Sequence, residues 1–65
     1  MMLPELIDEL EVSYPERFTS FESRYPDAME AVIGNGVEGP DDVEDEELAE
    51  SLGELRDDIC DLLRI

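Results

Sequence analysis

The chain contains no lysine and no histidine, and only four basic side chains: Arg17, Arg24, Arg56 and Arg64. The missing histidine removes the one side chain whose ordinary pKa sits near neutrality, and with it the usual general base. The scarcity of cations excludes direct nucleic-acid binding, because phosphate contacts need lysine or arginine in quantity. It also argues against an anionic membrane surface as a partner. A single cysteine, Cys60, rules out an intramolecular disulfide framework. Its place late in an amphipathic stretch, among Asp57, Asp58 and Asp61, suits a buried thiol better than a reactive one. No run approaches the ~20 apolar residues of a membrane span. The opening MMLPELIDEL lacks the basic segment of a secretory leader. These features lead to an expected cytoplasmic or virion-associated location.

What is abundant is acid. Twenty Asp and Glu stand against four Arg in 65 residues, a formal net charge of −16. Apolar residues still make up 42% of the chain, too many for a fully disordered segment. Such a chain allows one small domain, 1–65, with a modest core that is marginal alone or completed by a partner. Self-repulsion must be opposed, and salt is one agent. At about 1 M salt the Debye length falls to about 3 Å, so carboxylates one helical turn apart scarcely interact. Acid-rich, lysine-free composition therefore points to a salt-accumulating cytoplasm, that of a halophilic archaeon or its virus. A GC-rich genome that replaces Lys by Arg is the plainer explanation.

Proline supplies the punctuation. Pro4, Pro15, Pro26 and Pro40 are each followed by an acid. Proline suits the first position of a helix, where its missing N–H costs nothing, and an acid beside it faces the positive end of the helix dipole. Four such signals predict four helix starts. The first helix is expected over about Pro4–Val12, with Leu3, Leu6, Ile7 and Leu10 at helical spacing. The second, about Pro15–Arg24, carries the aromatic stripe Tyr14, Phe18, Phe21 and Tyr25. The third, about Pro26–Ile33, offers Ala28, Met29, Val32 and Ile33. The GNG at 34–36 ends it, and 34–40 reads as a glycine-rich connector.

The fourth helix is expected over 41–64, capped by Asp41 or Asp42. Its Leu48, Leu52, Leu55, Ile59 and Leu62 follow a 4-3-4-3 spacing, a heptad seam that Leu63 widens. Gly53 weakens this helix by about 1 kcal/mol relative to Ala. No segment shows sustained period-two alternation. The fold class expected is all-α: a small bundle of three short helices plus one longer acidic C-terminal helix.

Candidate sites follow from these patterns. GPDDVEDEELAE, 39–50, places seven carboxylates in twelve positions, and Asp41, Asp42, Glu44, Asp45, Glu46, Glu47, Glu50 and Glu54 form a candidate acidic face. An EF-hand loop needs Gly at its sixth position. Counting from Asp41 or Asp42 puts Glu46 or Glu47 there, so only diffuse cation binding is expected and no dedicated metal or cofactor. The serines lack an activating partner and no phosphate-cradling loop is present, so the chain reads as non-enzymatic.

Mimicry of DNA is an alternative. Duplex DNA carries one charge per about 1.7 Å, whereas eleven acids on a helix over 41–63 give one per roughly 3 Å. The acids are spread over the chain, nine in 1–38 and eleven in 39–65, which favours solvation over a recognition stripe. The leading expectation is a protein–protein interaction module. It would associate with itself or a larger assembly through the seam Leu48, Leu52, Leu55, Ile59, Leu62 and Leu63, which reads equally as intramolecular core, with Tyr14, Phe18, Phe21 and Tyr25, in the first place a core stripe, as candidate aromatic anchors. A small structural part of a virion or tail shares the same physics.

Overall fold

In the computed structural model, which describes residues 2–65, three short helices are joined by single-residue corners. Helix α1 spans Leu3–Ser13, α2 Pro15–Arg24 and α3 Pro26–Asn35. Tyr14 and Tyr25 are the corners. Each has φ near −130° and ψ near +65°, outside the helical region, as expected for a residue crowded by the following proline ring. Both tyrosines serve two helices at once. The Tyr14 N–H closes α1 on the Leu10 carbonyl, and its own carbonyl accepts the Phe18 N–H of α2. Tyr25 repeats this between Phe21 and Met29. The recurrent Pro-acid signals are therefore the inner edges of two sharp bends, and the prolines at 4, 15 and 26 occupy the helix starts expected of them.

Helix α3 runs two residues beyond its expected end. It stops at Gly36, which adopts the left-handed conformation (φ 69°) that glycine takes at least cost. The connector then crosses the start of α1, where the Leu3 N–H donates to the Glu38 carbonyl at 3.0 Å.

The fourth helix differs most from expectation. Pro40–Asp42 forms only a short 3₁₀ turn, and α4 occupies Glu46–Leu63, not 41–64. Its cap is Asp45, whose Oδ1 accepts the Glu47 N–H at 2.9 Å and the Leu48 N–H at 3.2 Å. Asp41 and Asp42 cap nothing in α4; Asp42 instead accepts the Glu38 N–H at 2.9 Å. The reason lies in the seam. Carried back from Leu48 at the same spacing, it would reach positions 45 and 41, both Asp, and burying unpaired carboxylates is costly. The chain breaks there and turns Val43 toward the core instead. Beyond this point α4 is continuous through Gly53 and ends at Arg64 in the left-handed region (φ 60°).

The core joins all four helices. Leu3, Leu6, Ile7 and Leu10 of α1, Phe21 of α2, Ala28, Met29 and Val32 of α3, and Leu52, Leu55 and Ile59 of α4 form one cluster. Helix α4 lies against α1 and α3, with the 3₁₀ turn packed on its side. Fully burying one such Leu or Ile side chain contributes roughly 1.5–3 kcal/mol. No polar or charged residue is buried among the described residues.

Candidate functional site

The expected interaction seam divides into a buried middle and half-exposed ends. Leu52, Leu55 and Ile59 are completely buried. Leu48, Leu62 and Leu63 are half-buried, packed against the edge of the cluster. The chain's own α1 and α3 thus occupy the face that a second chain would have taken. An association running the length of the seam would require the monomer to open, so only its ends are available from outside.

The aromatic stripe divides in a similar way. Phe21 is buried, Phe18 and Tyr25 are half-buried, and Tyr14 is 42% exposed at the α1–α2 corner. Tyr25 belongs to a small polar clamp. Its hydroxyl donates to Asp58 Oδ2 on α4, and Arg24 Nη2 lies 3.6 Å from the same oxygen. The Arg24 guanidinium carbon also stands 5.4 Å from the centre of the Tyr25 ring, within cation–π range. Phe21 stacks on the other aromatic with centroids 6.2 Å apart. The hydrogen bond to a carboxylate, with partial burial and the Asp58 charge, raises the Tyr25 pKa above its ordinary value of 10, and Arg24 opposes the shift. This clamp ties the α2–α3 corner to α4. Sequence pattern could not reveal it, because residues 25 and 58 are brought together only by the packing.

The candidate acidic face is not one helical stripe. Asp41 and Asp42 lie in the 3₁₀ turn, Glu44 and Asp45 in the following link, and only Glu46, Glu47, Glu50 and Glu54 on α4. All eight are exposed. Two use a carboxylate oxygen locally, Asp42 on the connector and Asp45 as the cap. Shortening the helix to Glu46–Leu63 leaves seven acids along 18 residues. That is one charge per about 4 Å at 1.5 Å rise, less than half the density of duplex DNA. Nineteen of the twenty acids are exposed, and the exception, Asp58, is half-buried in the clamp. Among the described residues, no group of three or more His, Cys, Asp or Glu side chains converges as a metal site would require. Cys60 is a half-buried free thiol.

One apolar feature lies outside the core. Ile33, at the end of α3, is 57% exposed instead of contributing to the core. The buried residues of α3 (Ala28, Met29, Ala31 and Val32) share one arc. At 3.6 residues per turn, Ile33 falls about 120° from the centre of that arc. Local spacing next to Met29 and Val32 was a misleading signal. Ile33 stands between two open grooves. The first, about 300 Å³, lies between α1, α2 and α3 and has Ile7, Phe18 and Val32 in its floor, with Asp8 and Glu11 on its edge. The second, about 390 Å³, is bordered by Met29, Glu22 and Glu30.

No protein-family model matches the chain, and comparison with curated proteins and with solved structures gives no significant match. Among the described residues, no helix is long and apolar enough to cross a membrane.

Proposed function

We propose that the chain is a non-enzymatic, acidic helical interaction module, adapted to the salt-rich cytoplasm of a halophilic archaeon or its virus, that presents its outer surface to a protein partner. The observation that carries this reading is the closed core: the chain satisfies the middle of its own apolar seam and buries no charged residue among those described. Acid–base catalysis is poorly supported, because no acid is fully buried and the Tyr25 hydroxyl is shifted away from neutral pH. Association would then use surface apolar residues and the exposed ends of the seam, Leu48, Leu62 and Leu63, and not its middle. DNA mimicry has less support, since the acids are diluted along α4 and spread over every element. A role in a virion or tail would be the same behaviour with a different partner.

Cross-linking in cells of its source at their own ionic strength, followed by mass spectrometry, tests the proposal. One reproducibly linked polypeptide is expected, and a chain linked to nothing would remove the reading. Dissociating the complex at about 0.15 M and about 1 M KCl then separates the alternatives. Docking led by apolar contacts should persist at about 1 M KCl, losing only what cationic margins on the partner add at the lower salt, whereas occupation of a basic nucleic-acid groove should weaken steeply.

A further inference from the structure

We propose that the surface around Ile33 seats an amphipathic helix from a partner protein, with lysine or arginine flanking its apolar face. The proposal rests on the interaction-module reading and names the partner's chemistry. Two observations combine here. Ile33 is a large apolar side chain left 57% exposed between two grooves, one lined by Phe18 and the other by Met29. The borders on both sides are acidic: Asp8 and Glu11 toward α1, Glu22 and Glu30 across α3. An apolar strip with charged margins is the complement of a helix whose apolar residues recur at i, i+3, i+4 and i+7 between cationic edges. A second copy of this chain fits poorly. It has no lysine and only four arginines, so it would bring acid against acid along both margins.

The test is NMR titration of the full chain with a synthetic Leu/Lys amphipathic peptide of about 18 residues, which forms about 27 Å of helix, longer than the two shorter dimensions of a molecule of 31 × 22 × 17 Å. The same peptide with Glu in place of Lys, and the variants Ile33→Gln and Ile65→Gln, complete the set. Ile65 is a second exposed apolar residue, 66% accessible and outside both grooves. Both substitutions lie at exposed positions, and circular dichroism verifies that each variant is folded. Amide shifts should concentrate on residues bordering Ile33, with affinity falling about tenfold in Ile33→Gln and little changed in Ile65→Gln. In about 0.15 M KCl, where the Debye length is about 8 Å, the Glu peptide should bind far more weakly.

Shifts scattered over the whole acidic surface, equal loss in both variants, or equal binding of the Glu peptide would overturn the proposal. So would a concentration-dependent dimer abolished by Ile33→Gln, which would make a second copy the occupant. A cellular partner that still cross-links to Ile33→Gln would sink this surface while leaving the module reading intact. Absence of any cellular partner would instead remove the module reading.

Discussion

Replacing glycine by alanine should change stability in opposite directions at two positions, and the pair tests the backbone directly. Gly53 lies inside α4, and a Cβ built there would sit 3.9 Å from the Pro40 ring, an ordinary van der Waals contact. Gly53→Ala should therefore gain the helix-propensity difference, about 1 kcal/mol. Gly36 has open space around its Cα but a φ of +69°. A side chain there fits without collision yet strains the left-handed backbone, so Gly36→Ala should lose about 1 kcal/mol. Both substitutions reduce the freedom of the unfolded chain in the same way, so opposite signs must come from the folded state. Urea denaturation followed by circular dichroism, in about 1 M KCl to screen repulsion, gives the two differences. In a domain of this size each should move Tm by roughly 4–8 °C. A Gly53→Ala variant that is neutral or destabilised would mean that α4 is broken or kinked at 53, and the continuous packed seam would fall with it.

Other expectations follow from single contacts. Asp45→Ala should cost about 0.5–2 kcal/mol because it removes the cap of α4, whereas Asp41→Ala should stay within about 0.5 kcal/mol; equal effects in urea melts would refute the observed helix start. Tyr25→Phe should cost about 1 kcal/mol by removing the hydroxyl's bond to Asp58. The raised Tyr25 pKa means that the neutral phenol is favoured by folding, so its stabilisation is fully present below pH 10 and is lost as pH rises through the higher folded value. In a Tyr14→Phe background, where Tyr25 is the remaining phenol, phenolate absorbance should show a midpoint above 10 that falls in Asp58→Asn; a midpoint at or below 10 would contradict the clamp. Thermal stability should rise steeply between about 0.01 M and about 1 M KCl, as the Debye length falls from about 30 Å to about 3 Å. The molecule's longest dimension is 31 Å, so at the lower salt every carboxylate feels most of the others; a flat Tm would show that self-repulsion is unimportant.

The helices were legible where the signal was covalent or local. Proline cannot continue a preceding helix without disturbance and favours a new start, so residues 4, 15 and 26 marked three beginnings. Pro40 carried the same signal and opened only a 3₁₀ turn. The discriminating information was present at Asp41 and Asp45, acids standing where the buried seam would have to continue. Ile33 was illegible for a different reason. Its spacing from Met29 fits a helical stripe, but the width of the buried arc is set by how closely α1 and α4 approach α3, which no local pattern contains. The Tyr25–Asp58 clamp likewise depends on tertiary packing alone.

Heptad spacing in a short acidic chain admits two partners, another chain or the chain's own remaining helices, and length separates them poorly. Here the decisive fact is the geometry of the two Tyr-Pro corners. Three helices of ten or eleven residues are each too short to be stable in isolation. The corners bend them around Leu3, Leu6, Leu10 and Met29, which then require an apolar lid. Leu52, Leu55 and Ile59 supply it from a single rod. Once that face is internal, the acids of α4 are necessarily directed outward, because the helix has little other surface on which to place them. The outward placement of those acids is thus a geometric consequence of closing the core, and on the reading proposed above a partner would dock where an apolar side chain remains outside despite that closure. Ile33, set between two grooves, is such a position.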